Sequence, residues 1–283
     1  MSMNSAQDGN GILSFDIGNS RIKWALWCHS ENCLDASDSG EMIETGFVLS
    51  SAESLRTLIQ QLSRLYPLVE KILAVNVAGE AIENALNECV RQVWAKEVYF
   101  LRTSAQYSSR GRTIKNAYSD PAFHGADRWA GLIAASHEFP GALCVISAGT
   151  AITLDLLAAD GKHLGGRILP SLQTMGNALS ADVAAIEMMP DDVSKSVLDD
   201  VPALFASDTQ GAINSGVYYL LAAGLREACV QAKERLLQQP TFIVTGGGAE
   251  QVMKWLQIPE VKFRPDLILQ GVYIALHKGE VNE

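Results

Sequence analysis

A short polar turn near the N-terminus has the composition of a phosphate-binding site. Within LSFDIGNSRIKWAL, Leu13–Leu26, an apolar strand ends in a polar turn and a second apolar strand follows. Glycine lets backbone approach a phosphate closely, while Asn and Ser side chains donate hydrogen bonds. Asp16 would hold a hydrated Mg²⁺ rather than contact phosphate itself. A hairpin turn with no chemical role explains the pattern equally well. The candidate ligands are Asp16, Gly18, Asn19, Ser20 and Lys23.

Two further glycine turns could contact a nucleotide. Thr150, in the segment Ser147–Thr153, offers a hydroxyl and a backbone N–H to a phosphate. The glycines of Thr245–Gly248 would let a flat ring such as adenine lie against bare backbone. Packing of small residues explains the first segment without a ligand, and a flexible link explains the second. Neither a Walker motif nor a GxGxxG fingerprint occurs in the chain.

The tetrapeptide Gly125–Arg128 supplies a candidate general base. Asp127 stands at the junction between a long polar loop and a predicted helix, beside Arg128. A carboxylate next to a guanidinium suits proton abstraction near an anionic transition state. The alternative is that Asp127 only caps the helix.

The elements that would position these residues alternate between strand and helix. The apolar spacing of Leu55, Leu58, Ile59 and Leu62 predicts one buried helix face. Polar residues 102–124 predict a long loop. The predicted strands are 13–15, 22–26, 47–49, 72–77, 98–101, 143–147, 151–157, 163–169 and 241–244, and the predicted helices are 54–66, 80–93, a segment from about 125, 209–229 and 267–277.

The two halves of the chain begin in the same way. LSFDIGNSRIKWAL and CVISAGTAITLDLL both read strand, small turn, strand, with Gly18 and Gly149 at matching positions. This pattern indicates a weak internal duplication. Two such turns could hold a polyphosphate from both sides.

Composition limits the classes of function. The 283 residues suffice for two domains, and 48% hydrophobic content supports a sizeable core. A net charge of −10 argues against nucleic-acid binding, and no segment is apolar and long enough for a membrane span. The N-terminus lacks the pattern of a signal peptide, and the five scattered cysteines include no CxxC pair. We therefore expect a cytoplasmic protein with reduced thiols.

In combination, these segments resemble the type III pantothenate kinases, which belong to the superfamily of acetate and sugar kinases, heat-shock ATPases and actin. The resemblance extends from about Ile12 to His277. It implies an α/β fold of two related actin-like ATPase (ribonuclease H-like) domains, 12–139 and 140–283, with a nucleotide cleft between them. The motifs are DxGNSxxK at Asp16–Lys23, NAYSDPAFHGADRW at Asn116–Trp129, GTAIT at Gly149–Thr153, GGRILP at Gly165–Pro170, SDTQGAINSG at Ser207–Gly216 and TGG at Thr245–Gly247.

The resemblance also implies an activity and roles for residues. The reaction is ATP-dependent phosphorylation of pantothenate to 4′-phosphopantothenate, the first step of coenzyme A biosynthesis. Asp127 would be the base, and Thr209 would close the pantothenate pocket of a partner subunit in a homodimer. ATP would be bound by Asp16, Gly18, Asn19, Ser20, Lys23 and Thr150, and pantothenate by Tyr118, Gly125, Ala126, Asp127, Arg128 and Thr209.

Two positions depart from the family pattern. The family binds Mg²⁺ together with ATP and also uses a monovalent cation, K⁺ or NH₄⁺. An Asp at the position of Ser147 helps to bind this monovalent cation in the family. A hydroxyl is a weaker ligand for a hard cation than a carboxylate, so we expect weak dependence on monovalent cations. Ser171 replaces the usual glycine after GGxIxP, and a different turn is expected there.

Two other functions fit the same residues. The acceptor hydroxyl could belong to another small metabolite, since composition and spacing do not specify pantothenate. Loss of a cation ligand at Ser147 could instead mark a nucleotide-binding regulator without catalysis.

Overall fold

The computed structural model describes residues 11–28, 40–109, 111–182 and 204–278. Contacts divide these residues into two compact α/β units. The first contains the described residues up to Pro140, those of Gly161–His163 and those from Asp266 onward; the second contains the described residues of Gly141–Asp160 and Leu164–Pro265. The predicted domain limits, 12–139 and 140–283, stay a prediction. The contacts group the chain differently at its C-terminal end, because the last helix packs on the first sheet.

The first unit is built on a five-stranded mixed sheet. Its order is β3-β2-β1-β4-β5, with β1 antiparallel to β2 and parallel to β4. The strands are β1 Gly11–Ile17, β2 Arg21–Cys28, β3 Met42–Leu49, β4 Val69–Asn76 and β5 Val98–Phe100.

Helices cover both faces of this sheet. Leu13, Phe15 and Ile17 point to the face covered by α1 (Ala52–Leu65) and α2 (Glu80–Trp94). The predicted apolar face of α1 is confirmed, since Leu55, Leu58, Ile59 and Leu62 are all buried. Because side chains alternate along a strand, Ser14 and Asp16 point to the opposite face. Helices α3, Ala126–Glu138, and α7, Leu267–Tyr273, pack there.

The prediction that 102–124 is a loop without secondary structure was wrong. This segment contains a two-stranded hairpin, β6 (Gln106–Ser109) paired with β7 (Arg112–Lys115). A 3-10 turn, Pro121–Phe123, then leads into α3. The hairpin has few apolar residues, so hydrophobic alternation did not reveal it.

The second unit repeats the topology of the first. Its sheet has the order β10-β9-β8-β11-β12, with β8 antiparallel to β9 and parallel to β11. If the strands of each unit are numbered one to five along the chain, both sheets have the same spatial order, 3-2-1-4-5. The strands are β8 Leu143–Ala148, β9 Ala151–Leu157, β10 His163–Pro170, β11 Thr241–Thr245 and β12 Lys262–Phe263.

One face of the second sheet packs against two helices. The side chains of Cys144, Ile146 and Ala148 join the core formed with α5 (Thr209–Leu236) and α6 (Ala249–Leu256). The sequence pattern predicted a helix at 209–229, whereas α5 continues to Leu236. It gave no bounds for α6. The helices of this unit are α4 Leu172–Asp182, α5 Thr209–Leu236 and α6 Ala249–Leu256.

No helix within the described ranges combines the length and apolarity that a bilayer crossing requires. The predicted cytoplasmic location stays a prediction.

Candidate active site

Asp16 lies at the C-terminal part of β1, on the sheet face covered by α3 and α7. Lys23 of β2 is its direct cross-strand partner. The Asp16 residue is only 8% exposed, which is unusual for a carboxylate. The antiparallel pairing therefore sets a buried acid opposite a lysine at the first turn predicted to bind phosphate.

The electrostatic environment of Asp16 favours its protonated form. Burial, assisted by the negative charge of Asp127, raises the pKa of Asp16 from 3.8 to about 7, although the charge of Lys23 acts in the opposite direction. The fold thus brings two carboxylates distant in sequence into electrostatic contact. The sequence identified both residues but not their interaction.

The turn between β1 and β2 exposes the remaining ligands predicted there. The Gly18 N–H donates to the Arg21 carbonyl at 3.0 Å, which closes the hairpin. This amide is therefore used within the protein, while Asn19 and Ser20 are exposed at the turn. The Ser20 carbonyl accepts from the Ser50 N–H at 3.1 Å, which ties the turn to the end of β3.

Asp127 lies in the first turn of α3, two residues after the N-cap, Gly125. Asp127 is not the N-cap residue itself, because Gly125 occupies that position. Backbone N–H groups at a helix N-terminus stabilise a negative charge. A Cβ at Gly125 would lie 2.7 Å from Asp127 Oδ1, so the glycine leaves room for this carboxylate.

Arg128 and Tyr118 form the other half of this cluster. The Arg128 Nη1 donates to the Tyr118 hydroxyl at 3.1 Å, and its guanidinium lies 5.9 Å from the ring centroid. Arg128 is buried, whereas Tyr118 is partly exposed. The pair presents a planar cation and a phenol beside Asp127, a suitable combination for an acidic, hydroxylated small molecule.

Two histidines that were not selected from the sequence pack against Tyr118. The rings of His124 and His163 stack near it, with centroids 4.7 Å and 6.1 Å away. His124 directly precedes Gly125, so its place beside the motif was a usable signal. His163 is distant in sequence, and only the tertiary structure reveals its contact.

The second unit has a related but tighter turn at Gly149. The Gly149 N–H donates to the carbonyl of Ala151, two residues on, at 3.0 Å, whereas the Gly18 N–H donates to the carbonyl of Arg21, three residues on. Thr150 is exposed at this turn, and its carbonyl accepts a hydrogen bond from Thr174 Oγ1 at 3.2 Å. In both units a glycine N–H therefore closes the connection between two antiparallel strands, but the second connection is one residue shorter.

Ser147 lies in a row of hydroxyl side chains. Its cross-strand neighbours are Thr153 of β9 and Thr245 of β11. Asp155 pairs with Val145, two positions away, and so shares the sheet face of Ser147 as a diagonal neighbour. No carboxylate stands directly opposite Ser147 on either adjoining strand.

Ser171 has a structural role in place of the family glycine. Its Oγ accepts from the Thr174 N–H at 3.2 Å, and its carbonyl accepts from the Met175 N–H at 3.0 Å. These are the contacts of a helix N-cap. The turn before α4 is therefore closed by a serine cap.

The glycine turn after β11 is required by the protein's own packing. Gly246 has φ +95°, and a Cβ there would lie 2.4 Å from the Ala148 carbonyl oxygen. Only glycine fits this approach of two backbones. The structure thus supplies a packing reason for this glycine, and a contact with adenine stays a prediction.

Thr209 is the exposed first residue of α5, after the N-cap Asp208. Asp208 Oδ1 accepts from the Gly211 N–H at 2.8 Å. Thr209 and Thr150 belong to the second unit. The other predicted site residues belong to the first unit: Asp16, Lys23, Tyr118, Gly125, Ala126, Asp127 and Arg128.

Comparison with known proteins identifies the family. The family model for type III pantothenate kinase matches residues 12–231. A type III pantothenate kinase from Nitrosococcus oceani is 34% identical over 266 residues, covering 92% of each chain. Another, from Burkholderia thailandensis, is 32% identical over 274 residues, covering 94% of this chain and 98% of its own.

A solved structure shares the fold over nearly the whole chain. A conserved Baf-family protein from Campylobacter jejuni superposes with a TM-score of 0.54 at 17% identity, covering 94% of this chain and 98% of its own. At that identity the likeness shows the fold alone. The sequence match over residues 12–231 and the 34% identity across nearly the whole chain go further: this chain belongs to the type III pantothenate kinase family.

Proposed function

We propose that the protein transfers the γ-phosphoryl group of ATP to the hydroxyl of pantothenate, giving ADP and 4′-phosphopantothenate, the first step of coenzyme A biosynthesis. The observation that carries this proposal is the cluster in the first unit. There Asp127, in the first turn of α3, acts electrostatically on Asp16, and Arg128 holds Tyr118. The cluster lies within the region that matches the family model.

Pantothenate is assigned to the residues around the start of α3. In this proposal Asp127 accepts the hydroxyl proton as the substrate oxygen bonds to the γ-phosphorus and the bond to the ADP oxygen breaks. Repulsion between the carboxylates of Asp127 and Asp16 favours uptake of one proton by the pair. Arg128 and Tyr118 orient the substrate, Gly125 leaves space beside the base, and Ala126 is proposed to line the same pocket.

The ATP phosphates are assigned to the β1–β2 turn. Asn19 and Ser20 donate hydrogen bonds there, Gly18 shapes the turn, and Lys23 adds positive charge. Thr150, in the corresponding turn of the second unit, is proposed as a further ATP ligand.

Asp16 is suited to hold Mg²⁺. It offers a hard oxygen donor. Its raised pKa means that the surroundings disfavour the charged carboxylate, and a bound cation would stabilise that charged form. A divalent ion supplies charge neutralisation of the phosphates during such transfers. A monovalent site fits less well, because Ser147 and its neighbours Thr153 and Thr245 offer hydroxyls where the family has a carboxylate. K⁺ or NH₄⁺ is therefore not assigned to this position.

A homodimer is part of the proposal. Thr209 is exposed at the start of α5, and large apolar side chains just before this helix and along it are exposed as well: Leu204, Phe205 and Leu220 have 62%, 89% and 64% of their surface accessible. Burial of such a surface against a second copy would stabilise an isologous pair. Thr209 would then reach the partner's pantothenate pocket.

A coupled assay of ADP release tests the proposal. The purified protein should release ADP with ATP, Mg²⁺ and pantothenate, and mass spectrometry should detect 4′-phosphopantothenate. Asp127→Asn serves as the matched inactive control. Turnover with another hydroxylated metabolite but not with pantothenate would assign a different acceptor. ATP binding without turnover on any member of the panel would favour the regulator suggested by Ser147.

A further inference from the structure

We propose that His163 is a positioning residue for the substrate pocket: it holds Tyr118 in the orientation that binds pantothenate, without touching the substrate itself. This inference rests on the proposed function, which assigns Tyr118 to pantothenate. If it is correct, His163 and its segment, Gly161–His163, belong with the residues that determine the affinity for pantothenate.

The segment Gly161–His163 is fixed against β7. The Lys115 N–H donates to the Gly161 carbonyl at 2.9 Å, and Lys162 forms a parallel bridge with Lys115. Gly161 has φ +85°, and a Cβ there would lie 2.0 Å from the Thr113 carbonyl oxygen. A side chain at Gly161 would therefore separate this segment from the hairpin.

His163 continues this attachment toward Tyr118. Its ring is fully buried, and its Nδ1 accepts from the Ala117 N–H at 3.3 Å. The next amide, that of Tyr118, donates to Asn116 Oδ1 at 3.1 Å. The backbone just before the Tyr118 side chain is thus held by two side-chain acceptors, one of which is an imidazole nitrogen that must be unprotonated to accept.

The ring of His163 also belongs to a stack that orients the phenol. The planes of His163 and His124 lie 12° apart with centroids at 4.8 Å, and those of His124 and Tyr118 lie 9° apart at 4.7 Å. Trp129 meets His124 edge-on at 5.9 Å. Arg128 donates a hydrogen bond to the phenol oxygen of Tyr118. The ring plane and the hydroxyl direction of Tyr118 are therefore both set, which limits the entropy lost when a ligand binds.

Three substitutions separate two of the contacts that His163 makes, the hydrogen bond from Ala117 and the ring stack. His163→Asn keeps an acceptor at the δ position but removes the ring. His163→Phe keeps a ring but removes the acceptor. His163→Ala removes both. Since one hydrogen bond or one aromatic contact is modest, we expect each single loss to raise the KM for pantothenate roughly three-fold, and His163→Ala to raise it roughly ten-fold or more, with the KM for ATP unchanged.

A double-mutant cycle tests whether His163 acts through Tyr118. The effect of His163→Asn on the pantothenate KM is measured in the native background and in Tyr118→Ala. If His163 positions Tyr118, its effect should largely vanish once Tyr118 is absent. His137→Phe, at another histidine of the first unit, is the control and should leave both KM values unchanged. Thermal melting shows which variants are folded. If His163→Ala does not fold, the pantothenate KM values of His163→Asn and His163→Phe still test the inference.

Two outcomes would overturn the inference while leaving the proposed function intact. One is an active wild-type enzyme whose pantothenate KM is unchanged in all folded His163 variants. The other is an equal effect of His163→Asn with and without Tyr118. A wild-type protein that does not phosphorylate pantothenate would instead overturn the proposed function and, with it, this inference.

Discussion

Replacing Asp16 by asparagine should stabilise the protein at neutral and alkaline pH while removing its activity. The pKa of this carboxyl is about 7 in the folded chain and 3.8 in its ordinary environment. Between these values the folded state binds a proton that the unfolded state releases, so stability falls as the pH rises. The full penalty, on the order of 4 kcal/mol, is present above pH 7 and absent below about pH 4.

Asparagine has nearly the same shape but carries no charge. Asp16→Asn should therefore melt on the order of 10 °C higher than the wild type at pH 8, with little difference at pH 4. Glu97→Gln, at an exposed carboxylate, is the control for removal of one negative charge. The assay is thermal unfolding from pH 4 to pH 8 without nucleotide or metal. Parallel pH profiles for the wild type and Asp16→Asn would refute the electrostatic account of this position.

Magnesium provides a second measurement on the same pair of proteins. If Asp16 holds Mg²⁺, the metal with an ATP analogue should raise the melting temperature of the wild type at pH 8 but have much less effect on Asp16→Asn, because binding to the folded state alone stabilises it. Equal stabilisation of both proteins would remove Asp16 from the metal site. Turnover of Asp16→Asn near the wild-type rate would contradict its assignment to ATP binding.

The other predictions concern the base, the space beside it, the cation and the dimer. Asp127→Asn should lower kcat roughly 10²- to 10⁴-fold while ATP binding, measured by calorimetry, is largely kept; a kcat near that of the wild type would exclude the base role. Gly125→Ala should lower kcat as well, since its Cβ would lie 2.7 Å from Asp127 Oδ1, and melting curves check that the fold is intact. Wild-type activity should respond weakly to K⁺ titrated against a bulky organic cation, and Ser147→Asp should respond more strongly; sharp, saturable activation of the wild type at low K⁺ would contradict this. Sedimentation should give a dimer, and Thr209→Val should raise the KM for pantothenate; an active monomer at micromolar concentration would oppose both statements.

The sequence by itself determined much of this protein. Apolar alternation placed most of the strands, and helical spacing placed the buried face of α1, because these periods follow directly from backbone geometry. The matching segments around Gly18 and Gly149 predicted a repeat that the strand order of both sheets confirms. The polar motifs were enough to identify the family, since their order and spacing are specific in combination.

Only the tertiary structure decided how these residues act on one another. The hairpin at 106–115 depends on cross-strand hydrogen bonds and has little apolar patterning, so it was predicted as a loop. The coupling of Asp16 to Asp127 arises because α3 packs on β4, the strand beside β1, and on α7, which no local pattern encodes. The contact of His163 with the backbone before Tyr118 likewise joins segments far apart in the chain. Spacing reports local periodicity, whereas the pKa of a buried acid and the orientation of a pocket depend on packing between distant elements.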